Sequence, residues 1–172
     1  MFTMGPPLRA SSGSGDPHAA NVVALLHFND ANGTTLPVSS LGSPTIANTN
    51  AASHKVTTSQ AKFGSGSWNL GSGSNNGLSV QVDIPADLGD CTIEFFFRTT
   101  NDSVTFGRMF AAFAVGPGNL MALSIVDGEF RVIDSAGFIN VTAQFIPLDT
   151  WRHYAICRSG GFTYVYVNGV SA

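Results

Sequence analysis

The sequence predicts an all-β domain, an antiparallel β-sandwich, and three observations carry that prediction. Short runs of apolar, aromatic and β-branched residues recur along the chain, many alternating with polar residues at the period of two that a half-buried strand requires. Glycine, proline and asparagine punctuate these runs at turn positions, as in Gly116-Pro117-Gly118, Asp127-Gly128 and Asn168-Gly169. No segment shows a convincing apolar period of 3.6, so regular short strands separated by turns are left as the organising pattern.

A chain of 172 residues fits one domain with a sizeable core, since about 150 residues already bury roughly two thirds of their surface on folding. Charged residues make up only 11% of the chain, against about 25% in an average domain. Its polar surface must therefore be carried by Ser, Thr, Asn and Gly. Such a surface hydrogen-bonds well and repels little, which suits both carbohydrate contact and close packing in an assembly. Eight basic and eleven acidic residues give a formal charge of −3, and the basic ones are scattered. Nucleic acid needs a basic patch to neutralise its phosphates, so it is not an expected partner.

In chain order, residues 1–20 form an extended N-terminal arm, and residues 21–172 the sandwich. The arm, with Pro6-Pro7 and Ser11-Ser12-Gly13-Ser14-Gly15-Asp16-Pro17, has linker composition and too little apolar surface to fold alone. Ordering such a segment costs about 1 to 2 kcal/mol of backbone entropy per residue, so it needs a partner surface to hold it. The arm carries one basic residue, Arg9, and no apolar run of signal-peptide length. Val22 to Phe28 reads as a first buried strand, closed by Asn29-Asp30-Ala31-Asn32-Gly33. Residues 34 to 61, polar and broken by Pro37 and Pro44, read as loops with one or two short strands.

Lys62-Phe63-Gly64-Ser65-Gly66-Ser67-Trp68-Asn69-Leu70-Gly71 sets single large apolar residues between glycines, as in a strand packed closely against a neighbouring backbone. Leu78 to Val82 alternates before Ile84-Pro85 ends the pairing. Cys91 to Arg98 is the most strand-like segment, with Cys91, Ile93, Phe95 and Phe97 making one apolar face, and is expected at the centre of a sheet. Further strands are expected at Phe106 to Val115, Leu120 to Val126, Glu129 to Ile133 and Phe138 to Phe145. Gly116-Pro117-Gly118-Asn119 interrupts the apolar stretch 110–126, which is therefore two strands and a turn rather than a membrane span of about 20 apolar residues.

The last stretch, Trp151 to Gly169, is a β-hairpin: two alternating strands around Ser159-Gly160-Gly161, the second rich in Phe, Tyr and Val. It ends in Asn168-Gly169, a strong hairpin signal that announces one more strand.

Five motifs in this order carry a resemblance. Leu25-Leu26-His27-Phe28-Asn29, Ala61 to Trp68, Thr92 to Arg98, Trp151-Arg152-His153-Tyr154-Ala155 and Tyr166-Val167-Asn168-Gly169 together resemble the laminin G-like group of concanavalin A-like jelly rolls, over roughly residues 22 to 170. The resemblance implies a jelly roll whose last strand or strands are missing from this chain, since members of the group continue after the Asn-Gly turn. Variants that open on such a Leu-Leu-His-Phe strand resemble domains found in tailed-phage structural and fibre proteins.

Hydrolases of this fold carry a Glu-x-Asp-x-x-Glu run, because a retaining mechanism needs two carboxylates about 5 to 5.5 Å apart. Here the only glutamates are Glu94 and Glu129, and neither opens that run: Phe96 and Thr99 follow Glu94 at those offsets, and Arg131 and Asp134 follow Glu129. Glu94 reads as solvated or paired with Arg98 or a cross-strand base. Gly64-Ser65-Gly66 and Gly71-Ser72-Gly73 are one residue too tight on each side of the serine for a nucleophile elbow. His27 and His153 read as core or inter-strand hydrogen-bonding residues. No catalytic residue is assigned, and the chain is expected not to be an enzyme.

Calcium is known in some relatives of this group, and a hard cation takes six to eight oxygens. Asn29, Asp30 and Asn32, or Asp83, Asp87 and Asp90, are loop clusters that could supply some of them, although Asx residues are also ordinary turn formers. Cys91 and Cys157 cannot make a metal site by themselves, and remain either buried free thiols or a disulfide. The sequons at Asn32, Asn101 and Asn140 matter only in a eukaryotic secretory pathway.

The expected role is a non-enzymatic virion structural protein of a phage, as head decoration, baseplate or tail fibre, whose jelly roll faces carbohydrate. Its arm would tether it to other virion proteins or to copies of itself. The alternative is a carbohydrate-binding or adhesion module of a larger extracellular or cell-surface protein. Exposed Tyr, Trp, Asn and Asp on end loops or the concave face would supply stacking and hydrogen bonds.

Overall fold

The computed structural model describes residues 22–70, 78–81, 90–100, 107–114, 120–126, 129–134, 137–141, 147–160 and 162–171. The N-terminal arm, Asp83 and Asp87, and Asn101 lie outside these residues. Within them the chain is all-β, every strand pair is antiparallel, and no helix occurs.

The alternation in the sequence becomes two four-stranded sheets and two small two-stranded pairs. Strands β1 (Thr45–Asn48) and β4 (Leu78–Gln81) pair with each other, as do β2 (Lys55–Thr57) and β3 (Ser67–Asn69). Strands β6 (Gly107–Ala114), β7 (Leu120–Val126), β8 (Glu129–Asp134) and β9 (Gly137–Val141) form a meander in chain order. The other sheet runs β12-β11-β10-β5, from Val170–Ser171, Phe162–Val167 and Arg152–Ser159 to Cys91–Phe97.

Register in that last sheet decides what is core. Tyr154 stands opposite Phe95 and Val167, and Ile156 opposite Ile93 and Val165. These side chains share one face, and Tyr154, Ile156, Val165 and Val167 are all buried. Each contributes about 1.5 to 3 kcal/mol of transfer free energy. The Phe95 and Tyr154 rings stack with centroids 5.6 Å apart, and burial pushes the Tyr154 phenol above its ordinary pKa, against a smaller opposing pull from Arg152.

Both turns of this sheet match their sequence. Ser159 pairs with Phe162, and Gly160 in the reversal takes a positive φ of 57°. Asp90 fastens it, its carboxylate accepting from the Gly160 amide at 2.9 Å and the Ser159 hydroxyl at 3.1 Å. Asn168 and Gly169 both take positive φ, 51° and 79°, the geometry of a hairpin turn whose twist agrees with the strands. The Asn168 side chain accepts from the His153 amide at 3.0 Å while its own amide donates to the His153 carbonyl at 2.9 Å. The announced strand follows as β12.

Three expectations are corrected. Val22 to Phe28 is not a strand: only Leu25 makes a bridge, to Leu41. The Ser39 hydroxyl accepts from the Leu25 amide and donates to its carbonyl, taking places a partner strand would fill, and Phe28 leaves the extended region at φ 54°. Lys62 to Gly66 is likewise loop, with pairing confined to β3. Finally, β5 stands at the end of its sheet among the described residues rather than at its centre, although its face alternates as the sequence required.

Candidate functional site

The alternation that buries one face of the β5–β10–β11 sheet turns another set of side chains outward. They are Thr92, Glu94 and Phe96 on β5, His153, Ala155 and Cys157 on β10, and Phe162, Tyr164 and Tyr166 on β11, the small Ala155 being buried among its neighbours. Four rings in this region are strongly exposed: Phe96 at 39%, Tyr164 at 45%, Phe162 at 68%, and Phe63, which comes from the loop between β2 and β3, at 64%. Neighbouring strands lie about 4.8 Å apart and alternate residues along a strand about 7 Å apart, so the sheet sets these groups on a fixed grid.

The loop bearing Phe63 is tied to the rest of the chain by one residue in particular. The Asn29 side-chain carbonyl accepts from the Ser65 amide at 2.9 Å and lies against Gly64, which has φ 64°. A methyl group at Gly64 would overlap that carbonyl. At Gly66, which is buried, an added Cβ would stand 2.6 Å from the Phe28 carbonyl oxygen and 3.1 Å from that of Thr57. The two glycines therefore permit the close approach of the loop to the Phe28-Asn29 segment. The Ser67 hydroxyl closes the loop on the Gln60 carbonyl at 2.6 Å.

So held, Phe63 meets Phe96 edge to face, with centroids 4.9 Å apart and an interplanar angle of 84°. His153 lies on the other side of Phe96, centroids 4.9 Å apart. The Lys62 ammonium stands 5.5 Å from the Phe63 centroid and 5.6 Å from that of Phe96, within range of the attraction between a cation and a ring face. Glu94, one position further along the face, has its carboxylate 3.6 Å from His153 Nε2. The arrangement offers ring faces, a cation, a carboxylate and an imidazole to a ligand lying on the sheet. Glu94 faces a histidine rather than a second carboxylate, and Glu129 belongs to β8 in the other four-stranded sheet.

The residues singled out in the sequence are placed differently from one another. Glu94 has the cross-strand base as partner, while Arg98 pairs with Asp149 at 2.6 Å. His27 is exposed rather than in the core, its Nδ1 within 3.0 Å of the Ser40 hydroxyl. The Asn29 and Asn32 side-chain carbonyls are used in fastening loops, Asn32 accepting from the Thr58 amide at 3.3 Å, and Asp90 holds the β10–β11 turn. Among the described residues no three of His, Cys, Asp and Glu come together as a metal site. Cys91 and Cys157 are free thiols. Arg158, not Cys157, stands opposite Cys91, so the two cysteines lie on opposite faces. Neither tryptophan is strongly exposed: Trp68 is half-buried beside Phe28, centroids 6.0 Å apart, and Trp151 is half-buried too.

Two features escaped the sequence reading. Phe63 reaches Phe96 only through tertiary contact, and no periodicity signals it. His54 is 1% exposed, and neither of its ring nitrogens has a hydrogen-bond partner among the described residues. Burial lowers its pKa from the ordinary 6.5. It shares the inward face of the β2–β3 pair with Val56 and Trp68, whose indole N–H is also buried without a partner there.

Comparison with known proteins gives one match: the family model described as the concanavalin A-like lectin/glucanases superfamily fits residues 72–172. No curated protein and no solved structure matches the chain. The matched segment holds both four-stranded sheets, while the Leu25 to Asn29 and Ala61 to Trp68 motifs lie before it. With more than half of its residues matched, and an antiparallel all-β architecture to accommodate them, the chain belongs to the concanavalin A-like lectin/glucanase superfamily.

Proposed function

We propose that this chain is a non-enzymatic attachment module of a phage virion structural protein, binding carbohydrate through the outer face of the β5–β10–β11 sheet. The observation that carries the reading is the exposed ring pair Phe63 and Phe96 beside Glu94 and His153, with the exposed rings of Tyr164 and Phe162 further along the same face. A pyranose ring presents an apolar C–H face that stacks on aromatic rings, and hydroxyls that need nearby polar partners. Exposed aromatic groups rimmed by polar ones mark an interaction surface. The low charge of the chain and its Ser-, Gly- and Pro-rich arm support a place in a packed assembly. Among the described residues no second acid is seen beside Glu94 on this face, which favours recognition over hydrolysis.

Screening the protein on a glycan array, with and without a chelator, tests the binding half of this reading. The wild type is expected to retain one glycan class, and Phe96→Ser combined with Tyr164→Ser to lose it. Equal retention of that class by the double variant would refute the assignment of this face. Mass spectrometry of gradient-purified phage particles tests the location, which fails if the chain is absent from them.

A further inference from the structure

We infer that the corner formed by Lys62, Phe63 and Phe96 is a subsite for a carboxylate-bearing sugar, a uronic or sialic type of residue; this rests on the reading of the outer face as a glycan surface. Two rings at 84° with centroids 4.9 Å apart make an L-shaped recess. One ring offers its face to a pyranose and the other borders it. Both rings are exposed, Phe63 at 64% and Phe96 at 39%.

The charge at this recess selects among sugars. Lys62 Nζ is nearly equidistant from the two rings, at 5.5 and 5.6 Å, so any sugar in the recess lies beside an ammonium group. Arg98 pairs with Asp149 and His153 with Glu94, and neither pair involves Lys62. Glu94 sits one alternation further along β5, about 7 Å, and turns toward His153. A carboxylate on the ligand would therefore complete a pair that the described residues leave open. A cationic amino sugar would be repelled, and a neutral one would gain stacking alone. Because the lysine and Phe63 are adjacent in a loop that Asn29 and Gly64 hold in place, charge and ring arrive together.

The test is isothermal titration calorimetry with matched oligosaccharides: one containing glucuronate and its glucose counterpart of the same linkage, and a sialylated glycan with its asialo form. The expected result is about three- to fivefold tighter binding of the acidic member, the scale of an exposed ion pair. The preference should shrink toward unity in 0.5 M salt and in Lys62→Met, with Lys62→Arg restoring most of it. Circular dichroism of each variant confirms the fold, as Lys62 is exposed. A preference unchanged in Lys62→Met, or equal affinity for both members in the wild type, overturns the subsite. If neutral and acidic members bind equally and Phe96→Ser abolishes both, the acidic-sugar subsite is overturned while the reading of the face as a glycan surface stands. If neither member of either pair binds, the glycan reading falls with it.

Discussion

Gly64 and Asn29 should behave as a coupled pair, and a double-mutant cycle measures the coupling. Gly64 holds φ 64°, which a residue with a Cβ adopts at a cost of about 1 to 2 kcal/mol. Its added methyl would also overlap the Asn29 side-chain carbonyl, displacing it from the Ser65 amide that it accepts from at 2.9 Å. That lost bond costs about 1 kcal/mol, while alanine recovers roughly 0.5 kcal/mol by restricting the unfolded chain. Gly64→Ala should therefore destabilise by about 2 kcal/mol, with the strain and the lost bond as its two sources. Asn29→Ala alone removes the same bond and should cost about 1 kcal/mol. In the double variant the bond is lost only once, so the expected total is about 2 kcal/mol rather than the 3 that addition gives. Urea unfolding followed by tryptophan fluorescence measures all three. For a chain of this size 2 kcal/mol corresponds to a fall of roughly 4 to 8 °C in Tm. Additivity to within about 0.5 kcal/mol would refute the claim that Asn29 is what an alanine at Gly64 meets.

Two further outcomes follow from the buried His54 and from the half-buried cysteines. Above pH 6.5 the His54 ring is neutral both folded and unfolded, but below it the unfolded chain takes up a proton that the buried ring resists; stability is therefore present at neutral pH and declines as pH falls, by at most about 1.4 kcal/mol per pH unit from this group. His54→Phe should flatten the decline between pH 6.5 and 5 relative to wild type, and parallel stability profiles for the two proteins would count against it. Cys91 and Cys157, free and on opposite faces of the sheet, should both react with an alkylating agent after unfolding without reductant, and dithiothreitol should leave the urea midpoint unmoved; protection of the thiols from alkylation would contradict the register.

By itself the sequence determined which residues face which way along each strand and where the chain reverses. Both follow from local stereochemistry: side chains alternate with period two, and Gly160, Asn168 and Gly169 take the positive φ that tight hairpins demand. Thus the alternation of Cys91 to Phe97 and the hairpin of β10 and β11 were legible in full, and so was the family resemblance. Tertiary structure alone decided which strands adjoin and which outward residues meet. Nothing local says that β5 pairs with β10 more than fifty residues later, and that register is what places Cys91 opposite Arg158 and Phe96 beside His153. The Val22 to Phe28 stretch looked like a strand by composition, yet Ser39 supplied Leu25 with hydrogen bonds from a side chain and Phe28 left the extended region. The candidate site was the least legible part, because Lys62 and Phe63 reach Phe96 through a loop whose path depends on Asn29, more than thirty residues earlier, accepting from Ser65. Alternation is written into neighbouring residues; proximity between distant segments is set only when the whole core packs.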